Sequence, residues 1–151
     1  MKKFILIIIF ALQLNIVYAG EVKVVDIQQF KQVLDNNKND KVLFFFASWC
    51  RACTKTIPNI TANNIIFISL DKEPKAIEKM TKDIKYDVYN IAPSENFENI
   101  LELSSILNIA IAKKNKDGGL SQYFPYIVIL NGNNKVLMDN IDKDDLNKYL
   151  K

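Results

Sequence analysis

Hydrophobic and polar positions change rhythm several times along this chain. Val22–Val25 is short and β-rich, enough for a first strand. Asp26 is a good N-cap, and Ile27, Phe30, Val33 and Leu34 then fall on one helical face. Asn36-Asn37-Lys38-Asn39-Asp40 reads as a turn, and Lys41 to Ala47 is a near-continuous apolar strand suited to the middle of a sheet. A helix is expected from Cys50 to about Ala62, bent at Pro58. Ile65 to Asp71 reads as a buried strand, and Pro74 opens a helix lined by Ile77, Met80 and Ile84. Tyr86 to Ala92 looks like an extra extended segment. Ser94 is the expected cap of a helix whose apolar face is Phe97, Ile100, Leu101, Ile106 and Leu107.

From Ile109 to Gln122 the pattern names no element, and Lys113 to Gly119 reads as a solvated polar loop. Tyr123 to Leu130 is a strand with proline near its entrance. Asn131-Gly132-Asn133-Asn134 turns it back into Lys135–Met138 as a hairpin. Asp142 caps a last helix that points Leu146, Tyr149 and Leu150 inward. The order is β-α-β-α-β, an inserted region, then β-β-α, an α/β arrangement.

The beginning of the chain has a separate logic. Lys2 and Lys3 precede an apolar run, Phe4 to Leu12, and Val17-Tyr18-Ala19 is a small-x-small cleavage pattern before Gly20. Residues 1–19 are therefore read as a secretory signal and 20–151 as one domain. Gln13 and Asn15 interrupt the apolar run, which makes an uncleaved anchor the less favoured reading. The expected location is periplasmic. The formal charge is +3, and Lys2 and Lys3 supply two of those units. A near-neutral mature chain argues against nucleic acid as a partner. Asn59-Ile60-Thr61 is formally a glycosylation sequon, but it falls in the helix after the cysteines and is read as chance.

The chemistry is concentrated at Trp49-Cys50-Arg51-Ala52-Cys53, where the apolar strand gives way to a helix. A helix N-terminus stabilises a thiolate through its free N–H groups and its dipole. Arg51 adds a full charge and is expected to lower the pKa of Cys50, since cysteines in such settings fall to roughly 3.5–7.5. Cys53 stands one helical turn on, within reach of a mixed disulfide at Cys50. A zinc site would need two more ligands, and the chain has no histidine and no third cysteine. A copper site lacks its histidine for the same reason. A purely structural bridge would close a very small loop and stabilise little. A redox-active dithiol without metal or organic cofactor is the preferred reading.

The block Phe44-Phe45-Phe46-Ala47-Ser48-Trp49-Cys50-Arg51-Ala52-Cys53 resembles the active site of the thioredoxin superfamily, and Pro58 matches the proline of its active-site helix. The resemblance implies a thioredoxin fold, a central mixed sheet flanked by helices, with an insertion (72–124) between the third strand and the strand that Pro125 opens. It implies catalytic roles for Cys50 and Cys53, a cis peptide at Phe124-Pro125, and a substrate rim of Trp49, Phe124 and Pro125. Leu70-Asp71-Lys72-Glu73-Pro74 and Tyr86-Asp87-Val88-Tyr89 resemble the TlpA-type branch of exported reductases.

Two departures stand out. Phe44 occupies the place of the family's buried aspartate and Phe67 that of its lysine, so Cys53 must find a proton acceptor in a water or a group from the partner. Arg51-Ala52 is typical of neither the TlpA-type nor the DsbA-type members. The function implied is reduction of disulfides in extracytoplasmic proteins by a monomer recharged by a membrane or soluble redox partner. A DsbA-like oxidase or isomerase, and a non-catalytic binding or assembly module, are the alternatives.

Overall fold

The computed structural model describes residues 20–60, 63–81, 84–91, 98–114, 120–122, 124–142, 145, 146 and 149. Six strands form the main sheet: β1 (Val22–Val25), β2 (Lys41–Phe46), β3 (Ile65–Ser69), β4 (Val88–Ile91), β7 (Tyr126–Leu130) and β8 (Val136–Met138). Their order is β1-β4-β3-β2-β7-β8. The first four run parallel, while β7 is antiparallel to β2 and β8 to β7. The remaining strands, β5 (Ala112–Lys114) and β6 (Leu120–Gln122), pair with each other alone.

Alternation along the strands sends side chains to two cores. On one face Leu43, Phe45, Ile66, Ile68 and Val128 pack against Phe30 and Leu34 of α1 (Ile27–Asn36) and Leu103 and Leu107 of α4 (Glu98–Leu107). On the other face Val42, Phe44, Phe46, Phe67, Val88 and Ile127 meet Cys53 of α2 (Arg51–Thr56) and Ile77 of α3 (Pro74–Thr81). Asp26 closes a capping box with Gln29 at the start of α1, giving that helix the sharp beginning its sequence suggests.

Several expectations need correction. The active-site helix is not one bent element: the α-helical part stops at Thr56 and Ile57–Asn59 is a 3-10 turn. Proline cannot donate the intrahelical bond, so the helix tightens and ends there. The extended segment expected over 86–92 is present as β4, and it lies inside the sheet between β1 and β3. Lys113 and Lys114 belong to β5 rather than a loop. The strand after Pro125 begins at Tyr126, not Tyr123.

Ile106 and Tyr149 are exposed rather than inward, while Leu146 is buried as expected. Asp142 accepts from Asp145 N at 2.9 Å, the expected cap of the last helical stretch. Ser94, Phe97, Thr61, Tyr123 and Leu150 lie outside the described residues.

The β7–β8 turn is clamped to the α1–β2 turn. Gly132 N donates to Asp40 Oδ1, and the buried Lys41 Nζ donates to Asn134 Oδ1 at 2.7 Å. Burial lowers the pKa of that ammonium. A Cβ on Gly132 would stand 2.0 Å from the Lys38 carbonyl oxygen, so backbone would have to move. Gly132→Ala should therefore lower stability by about 1–3 kcal/mol in urea unfolding, with an unchanged m-value.

Candidate functional site

The site lies where β2 leaves the sheet. The strand ends at Phe46; Cys50 N donates to Ala47 O at 2.9 Å, closing a turn, and Cys50 becomes the N-cap of α2. Its Sγ accepts from Cys53 N at 3.1 Å. The two cysteines form a disulfide with a Cα–Cα distance of 5.2 Å. Cys53 is fully buried and Cys50 is 5% exposed, so what access there is belongs to Cys50. Beneath them are aromatic rings rather than a charge pair. Phe44 and Phe67 stand opposite each other in register, with ring centroids 5.6 Å apart.

The expected rim comes together. Trp49 is 66% exposed and meets Phe124 edge-on at 5.5 Å. Phe124 also packs against the apolar cluster that holds both cysteines. The Phe124–Pro125 peptide is cis. Beside Pro125 a cleft is lined by Ala52, Lys55 and Thr56 of α2 and by Ile127, Asn140 and Ile141. Arg51 sits at the first position of α2 with its side chain exposed.

Sequence reasoning missed a buried polar cluster just behind this turn. Asp71 accepts from Ser48 N at 2.8 Å, from Ser48 Oγ at 2.7 Å and from Ser69 Oγ at 2.7 Å. Asn90 Nδ2 donates to Asp71 O at 3.0 Å. The available signal was a lone acidic residue closing an apolar strand, which the run Ile65 to Asp71 absorbed as its last position. The cleft residues Asn140 and Ile141 carried no sequence signal.

A four-stranded parallel core extended by two antiparallel strands, with a disulfide-bonded C-x-x-C at the β2–α2 junction and a cis-proline opening β7, defines a thioredoxin fold with a dithiol site. Comparison with solved structures gives the same fold. A thiol:disulfide interchange protein from Bacteroides sp. superposes with a TM-score of 0.51 at 18% identity, over 77% of this chain and 74% of that one. A secreted Mycobacterium tuberculosis disulfide oxidoreductase, described as homologous to E. coli DsbE, gives 0.50 at 13% identity, over 76% and 81%. The reduced N-terminal domain of PilB from N. meningitidis gives 0.50 at 14% identity, over 79% and 83%. No protein-family model matches the sequence, and no curated protein matches it.

Proposed function

We propose that this chain is an exported thiol–disulfide oxidoreductase that reduces disulfides of extracytoplasmic proteins, in the manner of the TlpA-type branch. The observation that carries the reading is the Cys50–Cys53 disulfide at the start of α2, with the slightly exposed Cys50 following the exposed Trp49 in the chain. Two of the structural neighbours, a disulfide oxidoreductase and a thiol:disulfide interchange protein, are in keeping with it.

The exchange runs in two steps. In the reduced chain the Cys50 thiolate attacks one sulfur of a substrate disulfide, forming a Cys50–substrate mixed disulfide and releasing the other substrate sulfur as a thiolate. The Cys53 thiol gives up its proton and attacks Cys50 Sγ, closing the 50–53 disulfide and releasing the second substrate sulfur. Two electrons pass to the substrate, and a dithiol donor restores the chain by the reverse steps. Trp49, Phe124 and Pro125 form the rim on which partner backbone docks.

The test is the reduction potential together with thiol trapping. Roughly −270 mV supports a reductase, whereas roughly −120 mV means a DsbA-like oxidant. A chain whose thiols never cycle is a binding module. Arg51 stabilises the thiolate in this scheme. Arg51→Ala should raise the Cys50 pKa, read from thiolate absorbance against pH, with the fold intact; an unchanged profile would mean that the helix end acts alone. Residues 1–19 act as the leader; amino-terminal sequencing of exported protein should begin at Gly20, and a full-length, salt-resistant membrane form would mean an anchor.

A further inference from the structure

We infer that Asp71 is a positioning residue for exchange at Cys50, fixing the turn that carries the cysteine and disfavouring the reduced dithiol, so that the pair is a stronger electron donor. The inference rests on the oxidoreductase reading above. Its basis is where the sheet register puts the polar cluster. Phe46, Ser69 and Asn90 are partners across β2, β3 and β4. Phe46, Phe67 and Val88 belong to the apolar cluster that contains both cysteines. Side chains two apart on a strand share a face, so Ser69 and Asn90 lie on the dithiol side of the sheet, at the carboxyl ends of their strands.

Asp71 joins these residues to the active-site turn. Asp71 is 6% exposed, and its carboxylate takes three hydrogen bonds, two of them from Ser48, which stands two residues before Cys50. Its main chain is held in turn: Asp71 N donates to Ser69 Oγ at 3.2 Å, and the carbonyl accepts from Asn90. The turn from Ala47 to Cys50 thus has one support in its own backbone bond and another in Asp71. A charge-assisted bond to a backbone N–H is among the stronger kinds, and losing it would leave a part-buried donor without this partner.

The second effect is electrostatic. Reduction of the disulfide allows a thiolate at Cys50, and the carboxylate tied to Ser48, two residues before it, disfavours that charge, opposing the effect expected of Arg51. Destabilising the reduced form makes the pair a better electron donor. In a chain with phenylalanine at both positions beneath the dithiol, Asp71 is the carboxylate that the described structure ties to the active-site turn.

Asp71→Asn separates charge from shape. The amide oxygen can accept from Ser48 N and Ser69 Oγ, and the Ser48 hydroxyl can turn to accept from the amide nitrogen. At fixed pH and a fixed glutathione ratio, this variant should shift the equilibrium toward reduced protein by about threefold or more. An equilibrium that stays put, or moves toward the disulfide, overturns the inference. If the variant does not fold, Ser48→Ala decides. Exchange at Cys50 slowed severalfold at unchanged unfolding stability supports positioning, and wild-type exchange rates overturn it. A wild-type chain that fails to cycle in the same assay removes the oxidoreductase reading itself, an outcome separate from wild-type cycling with inert variants.

Discussion

In a Cys53→Ala chain, attack of Cys50 on partner disulfides should leave mixed disulfides that accumulate on Cys50, and multiple turnover should stop. The asymmetry of the two sulfurs argues for this order of attack. Cys50 caps α2, retains slight exposure and follows the exposed Trp49 in the chain, whereas Cys53 is fully buried in the apolar cluster. An incoming sulfur therefore reaches Cys50 first. Release then depends on Cys53, held within bonding distance by the helix turn. Replacing that intramolecular step with attack by an external thiol should slow release by at least on the order of a thousandfold, given the effective molarities of oriented groups. Thiol trapping, separation under non-reducing conditions and mapping of the linked cysteine give the readout. If Cys50→Ala traps partners equally well through Cys53, the roles are reversed.

The second large effect is expected at Phe67. Its side chain is fully buried in the middle of β3, 5.6 Å from Phe44, 6.5 Å from Phe46 and 5.9 Å from Tyr86 by ring centroids. Phe67→Ala would remove a ring from the layer that backs the dithiol and leave a cavity that three neighbouring rings cannot all fill. Such truncations cost about 3–5 kcal/mol, a large part of the roughly 5–15 kcal/mol that a domain has in total. Denaturant unfolding should show the loss directly. A cost below about 1 kcal/mol would mean that the aromatic layer is loosely packed and does not hold the site rigid.

The legible parts of the sequence were those where local pattern and tertiary role agree. Phe44, Phe45 and Phe46 read as a central strand because both faces of β2 are covered, and every residue of that strand is buried. Asp26 and Asp142 read as caps because the capping interaction is local. The cysteine pair was legible because the strand-to-helix change brackets it. The place of β4 was not, because Val88–Ile91 pairs with partners far away in the chain, and nothing local selects between a sheet interior and an edge. Asp71 was missed for a related reason: its meaning lies in bonds to Ser48, which only the parallel register of β2 and β3 brings near. Ile106 and Tyr149 show the opposite failure, since helical periodicity alone does not reveal how wide a face the neighbouring layer covers.

The place of β4 also sets a timetable for the nascent chain. β1 is made first of the sheet strands, but its ladder partner is β4, with Val22 opposite Val88. Until the segment around Val88 is available to fold, the leading strand has no edge to join, while β2 and β3 can already pair. Closing so long a loop is entropically costly unless intervening structure shortens it, which α1, β2, β3 and α3 do. The first strand of the sheet is thus secured only after β2, β3 and β4 are in place, and until then its backbone has no ladder partner.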